Sequence, residues 1–190
     1  MAKLIVFTGG LATLKTTLSK QISKDLGILC LNKDDLKAVL VDHFGFQNRE
    51  ENKKLSVATV QAMIEISHQA KLAGQNIIIE ANFKAHELKD IVNKSGFSKQ
   101  EIITIFLYGN PKVLYDRYVQ RQHTRHIAHT STGLLSYEIF EASLKEHRLE
   151  DALGKIINYD TTIFNPGDYQ LLKQEIQSSL DESNGGSHAL

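Results

Sequence analysis

The stretch FTGGLATLKTTLSK, Phe7 to Lys20, constrains this chain more than any other. It follows KLIVFT, an apolar and β-branched run that reads as a buried strand. It precedes Leu18, Ile22 and Leu26, which recur at helical spacing. Gly9, Lys15 and Thr16 fit the strand–turn–helix pattern G-x-x-x-x-G-K-S/T. In such a loop the backbone amides converge on phosphate, and the helix N-terminus adds partial positive charge. Leu14 stands where the pattern has its second glycine. Its Cβ predicts a backbone that avoids glycine-only conformations and a side chain turned away from the phosphates. Gly9, Gly10, Leu11, Ala12, Thr13, Leu14, Lys15, Thr16 and Thr17 are the expected cradle of a nucleoside triphosphate. Lys15 would reach its β- and γ-phosphates, and the Thr16 hydroxyl would ligate Mg²⁺.

Short apolar strands alternate with helical patterns along the rest of the chain. ILCL, NIIIEA, EIITIFLY and KIINYD read as strands two to five. DDLKAVLVDHF reads as a helix, and so does Lys53 to Ala73, with a stripe of Leu55, Ala58, Ala62, Ile66 and Ala70. KAHELKDIVNKSG has glycine at its end, and NPKVLYDRYVQRQ has Pro111 in its first turn. SYEIFEASLKEHRLEDA and Asp168 to Leu180 complete the helices, and HTRHIAHTSTGL has no period and reads as a loop. The alternation predicts an α/β fold: a five-stranded parallel sheet flanked by helices in three layers. One domain over 1–181 is expected, with a lid at about 122–135 and a flexible tail over 182–190.

Composition narrows the classes of partner. Lys plus Arg and Asp plus Glu are 22 each, which gives no support to a large nucleic-acid surface. Cys30 is the single cysteine, so no internal disulfide forms and a reducing compartment fits. LIVF is too short for the apolar core of a secretory signal, and no run reaches the length of a membrane span. The expectation is a cytoplasmic protein, with no protein partner indicated.

The remaining chemistry lies at strand ends. LNKDDLK follows strand two and sets Asp34 and Asp35 at the C-terminal edge of the sheet. A carboxylate there can take a proton from a hydroxyl attacking a γ-phosphate, while an aspartate at that position can equally cap the next helix. Lys33 and Lys37 lie beside it and could hold an anionic acceptor. Glu80 ends an apolar run and needs a partner, either the Mg²⁺ shell or Lys37. Arg117, Arg121 and Arg125 share one helix face, suited to charge on a transferring phosphoryl group or to stacking on adenine. His123, His126 and His129 recur every third residue, a spacing open to phosphate contact, metal binding or plain surface histidines.

Taken in order, these motifs resemble the P-loop kinases of the polynucleotide-kinase and zeta-toxin-like group, whose AAA-like ATP-binding domain has the P-loop NTPase fold. That group carries N-R-D-D-Y-R after strand two, where this chain has Asn32, Lys33, Asp34, Asp35, Leu36 and Lys37. It carries an acidic residue, a small residue and Asn after strand three, here Glu80, Ala81 and Asn82, and R-x-x-x-R before its lid, here Arg117 and Arg121. The resemblance covers about the first two-thirds of the chain. It implies ATP and Mg²⁺ as cofactors, Asp34 as general base, and Arg121 acting on the transferred phosphate beside Lys15. It further implies Arg117 at the nucleotide, and Lys37, Glu80 and Asn82 at the acceptor. Lysine at 37 departs from the group's arginine and cannot make its bidentate fork. Gluconate, adenylylsulfate and chloramphenicol kinases share the same order, so the reaction class is fixed better than the substrate. The expected reaction moves the γ-phosphate of ATP to a hydroxyl on a small molecule or nucleotide. A polynucleotide 5′-hydroxyl kinase and a non-catalytic ATP-binding regulatory module are the alternatives. NKDD also fits the guanine-reading N-K-x-D of GTPases, but there the motif follows a late strand rather than the second.

Overall fold

The computed structural model describes residues 1–129 and 133–182, so the centre of the expected lid and all but the first residue of the expected tail lie outside the described residues. Five strands, β1 (Leu4–Gly9), β2 (Leu29–Asn32), β3 (Ile77–Glu80), β4 (Ile102–Tyr108) and β5 (Lys155–Asp160), form one all-parallel sheet in the order β2-β3-β1-β4-β5. Seven helices cover it: α1 (Lys15–Leu26), α2 (Lys33–Phe44), α3 (Arg49–Leu72), α4 (Ala85–Lys94), α5 (Pro111–Arg121), α6 (Tyr137–Leu144) and α7 (Pro166–Asp181). The three-layer expectation holds.

Strand side chains alternate faces, and so divide into two cores. Leu4, Val6, Ile77 and Ile79 pack under Val60, Met63 and Ile64 of α3 and Leu88 and Ile91 of α4. Ile5, Phe7, Ile78, Ile103 and Ile105 pack on the other face under Leu18 and Ile22 of α1 and Tyr169, Leu172 and Ile176 of α7. Burying each such aliphatic side chain is worth about 1.5–3 kcal/mol, enough to fix the register of the sheet. That register pairs Phe7 with Glu80 and Glu80 with Asn32. The C-terminal ends of the three strands that carry the motifs therefore meet at one edge.

Two helices differ from expectation. The buried face of α3 is Thr59, Val60, Met63, Ile64 and Ser67, and Ala58, Ala62 and Ile66 face outward. The inner hydroxyls donate to the carbonyls one turn back, Thr59 to Leu55 and Ser67 to Met63, so they enter the core without an unmet hydrogen bond. Polarity alone put the stripe on the wrong phase. The helix expected over 136–152 ends at Leu144. The chain must return there to the start of β5, tied by the Leu153 carbonyl, which accepts from Thr104 at 2.7 Å.

A third cluster, Ala12, Leu114, Tyr118 and Phe140, joins the β1–α1 loop to α5 and α6. Tyr115, Tyr118 and Phe140 pack there with ring centroids 5.2–6.1 Å apart. This cluster ties α5 and α6, the helices before and after the segment expected as a lid, to the β1–α1 loop.

Candidate functional site

The loop between β1 and α1 is held by close packing. Gly9 has φ 132°, and a Cβ there would stand 2.0 Å from the Leu107 carbonyl oxygen of β4. At Gly10 a Cβ would meet the Leu144 side chain at 2.5 Å. Ala12 and Leu14 both lie in the left-handed region, at φ 62° and 61°. Leu14 therefore adopts the glycine-favouring conformation that its Cβ was expected to avoid, at a cost of about 1–2 kcal/mol. Its side chain packs against the α1–α7 core, which offsets that cost. A left-handed residue just before a helix turns successive amides to one side, the geometry of an anion nest.

Lys15 opens α1 and is buried, its ammonium donating to the Gly10 carbonyl at 2.5 Å and to Thr13 Oγ1 at 3.3 Å. Burial pulls its pKa down to about 8, against the opposing pull of Glu80. The ammonium thus rests on neutral oxygens of its own loop. Thr16 Oγ1 donates to Glu80 Oε2 at 3.1 Å and accepts from Asn32 Nδ2 at 3.4 Å. Asn32 Nδ2 also donates to Glu80, while its Oδ1 caps α2 by accepting from the Asp35 amide at 3.0 Å. Burial raises the Glu80 pKa, with the Lys15 charge opposing it. Thr16, Glu80 and Asn32 form one connected polar group at the strand ends. Of the two partners expected for Glu80, Lys37 is not among its contacts.

The two aspartates of α2 diverge. Asp35 points outward and pairs with Lys20 at 2.5 Å, both half exposed. Asp34 points into the cleft, where Arg125 lies 3.2 Å from its Oδ2 and His129 3.4 Å from its Oδ1. Both carboxylates sit favourably in the first turn of the helix, but the cap itself is Asn32. Lys37 is buried, and its ammonium donates to the Ala128 carbonyl at 3.0 Å. Asn52 of α3 reaches the same carbonyl at 3.3 Å. His126 binds Asp42 at 3.0 Å. Burial lowers the pKa of Lys37 and that of His129.

On the opposite wall, Arg117 donates to the Thr161 and Thr162 carbonyls at 2.6 and 3.0 Å, tying α5 to the loop after β5. Arg121 makes no ion pair among the described residues, and its buried Nε has no hydrogen-bond partner there. Burial, then the charge of Arg125, lowers its pKa. An unpaired, largely desolvated guanidinium facing a cleft suits an incoming anion.

These groups line one cleft of about 640 Å³, the size of a small-ligand site. Leu11 to Thr17, Asp34, Lys37, Glu80, Asn82, Arg117 and Arg121 all border it, so the structure brings the expected site residues together, with Gly9 and Gly10 behind the loop. Sequence reasoning gave no role to Asn32, nor to the hold of Arg125 and His129 on Asp34. It also missed Asn52, whose signal was a polar residue two turns before the buried phase of α3. Among the described residues no group of three or more metal-ligating side chains could hold an ion, including His126 and His129.

The donor set fits a magnesium–triphosphate. A hydroxyl and a carboxylate meet beside a lysine in an amide-lined loop, and the buried Nε of the half-buried Arg121 opposite lacks a partner among the described residues. No family model matches this chain, and no curated protein does. Solved structures do. A protein of Chloroflexus aurantiacus described as a candidate kinase is 25% identical, with a TM-score of 0.75 over 94% of this chain and 98% of its own. A shikimate kinase from Bacteroides thetaiotaomicron is 17% identical, with a TM-score of 0.62 over 94% and 98%. A gluconokinase from Sinorhizobium meliloti is 12% identical, with a TM-score of 0.61 over 95% and 92%. The fold is that of the P-loop small-molecule kinases.

Proposed function

We propose that this chain is a single-domain phosphotransferase that moves the γ-phosphate of ATP to a hydroxyl of a small acceptor. The observation that carries this reading is the convergence of the Lys15 loop, the Thr16–Glu80–Asn32 group, Asp34 and the unpaired Arg121 on one cleft. The likeness to sugar-acid and shikimate kinases supports a small acceptor. The motif order Lys15–Thr16, Asn32–Asp34, Glu80–Asn82 and Arg117–Arg121 supports affinity with the polynucleotide-kinase and zeta-toxin group.

In this reading the amides from Gly10 to Lys15 hold the triphosphate, and the Lys15 ammonium leaves the Gly10 carbonyl for a phosphate oxygen. Thr16 would ligate Mg²⁺, with Glu80 and Asn32 behind it. The ion supplies charge neutralisation across the β- and γ-phosphates. Asp34 takes the proton of the acceptor hydroxyl as its oxygen attacks phosphorus, and the bond to the β-phosphate breaks toward ADP. Arg121 stabilises charge on the transferring group, Arg117 borders the nucleotide, and Lys37 and Asn82 border the acceptor.

The test is transfer of γ-labelled phosphate from ATP to a panel of small hydroxyl compounds and to a 5′-hydroxyl oligonucleotide. Label on a small acceptor supports the reading, and label only on the oligonucleotide moves it to a polynucleotide kinase. Tight ATP binding without transfer to any acceptor or to water would make the chain a regulatory module instead.

A further inference from the structure

The charges around the cleft are uneven. Lys15, Arg117 and Arg121 border its triphosphate side, while Lys33, Lys37 and Arg125 border the far side with Asp34. Lys33 is answered by Glu87 at 3.6 Å. Lys37 is buried against a neutral carbonyl. Arg125, its side chain only 18% exposed, has Asp34 as its sole ion-pair partner among the described residues, and His129 shares that carboxylate. Burying cations on this scale costs free energy that one shared carboxylate does not return.

We propose that the acceptor is itself an anion, a hydroxyl compound bearing a carboxylate or a phosphate, and that Arg125 recognises that charge. The inference rests on the kinase reading above. The Arg125 guanidinium lies against Asp34 Oδ2 and His129 against Oδ1, and the half-exposed carboxylate keeps lone pairs for a substrate hydroxyl beside them. A neutral polyol offers that guanidinium no opposite charge. A carboxylate or phosphate does, and it matches the arginine fork with two charge-assisted hydrogen bonds. An acceptor that carries such a group can meet Arg125 with its charge while its hydroxyl meets the neighbouring Asp34. Lys37 lies one turn along α2 from Asp34 and adds a second positive charge on the same side. Arg125 is then a specificity-determining residue.

The experiment titrates three probes on one carbon skeleton, D-glycerate, glycerol 3-phosphate and glycerol, into protein loaded with Mg²⁺ and a non-hydrolysable ATP analogue. At least one charged probe should bind ten or more times tighter than glycerol, and the tighter of the two names the anionic group. Arg125→Gln should cut that advantage to under threefold, and Arg125→Lys should restore part of it, with melting curves confirming that both variants fold. No advantage for either charged probe, or a full advantage kept by Arg125→Gln, overturns the proposal. Failure of the analogue itself to bind removes the kinase reading and this inference together, whereas analogue binding without a charge advantage removes the inference alone.

Discussion

The floor and the roof of the cleft are built by different physics. The floor, from β1 into α1, is fixed by packing: Gly9 lies against the Leu107 carbonyl, Gly10 against Leu144, and Leu14 in the core beneath. The roof between Gln122 and His129 has two short 3₁₀ turns and, beyond buried Ala128, is held by polar contacts. Lys37 and Asn52 reach the Ala128 carbonyl, Arg125 and His129 reach Asp34, and His126 reaches Asp42. Packing is not exchangeable for ligand contacts, but charge-assisted hydrogen bonds are. A phosphate site needs a preformed floor, and an acceptor site needs a roof whose partners a substrate can replace.

That contrast is broken most severely at Gly9. Gly9→Ala drives a Cβ into a backbone oxygen at a φ that alanine rarely adopts, and should cost about 3–5 kcal/mol in urea unfolding. Roof variants such as His126→Ala, which loses the contact to Asp42 and the bond its Nδ1 accepts from the Ala128 amide, should move the same midpoint by less than about 2 kcal/mol. Comparable losses in the two would remove the distinction.

Next is Asp34→Asn. On the proposed reading Asp34 is the base, so its loss should lower turnover about 10²–10⁴-fold while ATP affinity, which that reading assigns to the floor, changes by less than about threefold. Calorimetry beside steady-state kinetics separates the two effects, and parallel losses would contradict the division of roles.

Lys15 sharpens the contrast through pH. Its folded-state pKa of about 8 lies below the ordinary lysine value of 10.5, so the unfolded chain binds more protons between those values. Stability of the nucleotide-free protein should therefore rise as pH goes from about 8 to 10.5, and below pH 8 the buried charge is a standing cost. Lys15→Met should remove that rise and stabilise the protein at pH 7 by about 1–2 kcal/mol, net of the hydrogen bonds to Gly10 and Thr13. Denaturant midpoints across pH check the sign. Smallest is Leu14→Gly. Relief of the left-handed strain and loss of core contact nearly cancel, so stability should change by no more than about 1 kcal/mol.

The floor was legible in the sequence because its determinants are local. A strand, a turn and a helix follow one another without a break from Leu4 to Leu26, and Gly9, Lys15 and Thr16 have fixed offsets. Strand ends were legible for the same reason, which put Asp34 and Glu80 at one edge. The conformation of Leu14 was misjudged because its cost is met by distant core packing. The phase of α3 was misread because Thr59 and Ser67 hide their hydroxyls on their own helix. The roof was least legible. The bonds from Ala128 to Lys37 and Asn52, and from Arg125 and His129 to Asp34, join residues with no sequence relation and no apolar period.

The most direct test is calorimetric titration of Mg²⁺ and a non-hydrolysable ATP analogue at pH 8.5, in two buffers of different ionisation enthalpy. With Lys15 partly deprotonated in the empty loop, binding should take up protons and so show a buffer-dependent heat. Lys15→Met should lose that uptake and bind at least tenfold more weakly. No binding, or equal affinity and no proton uptake in both proteins, would contradict the account.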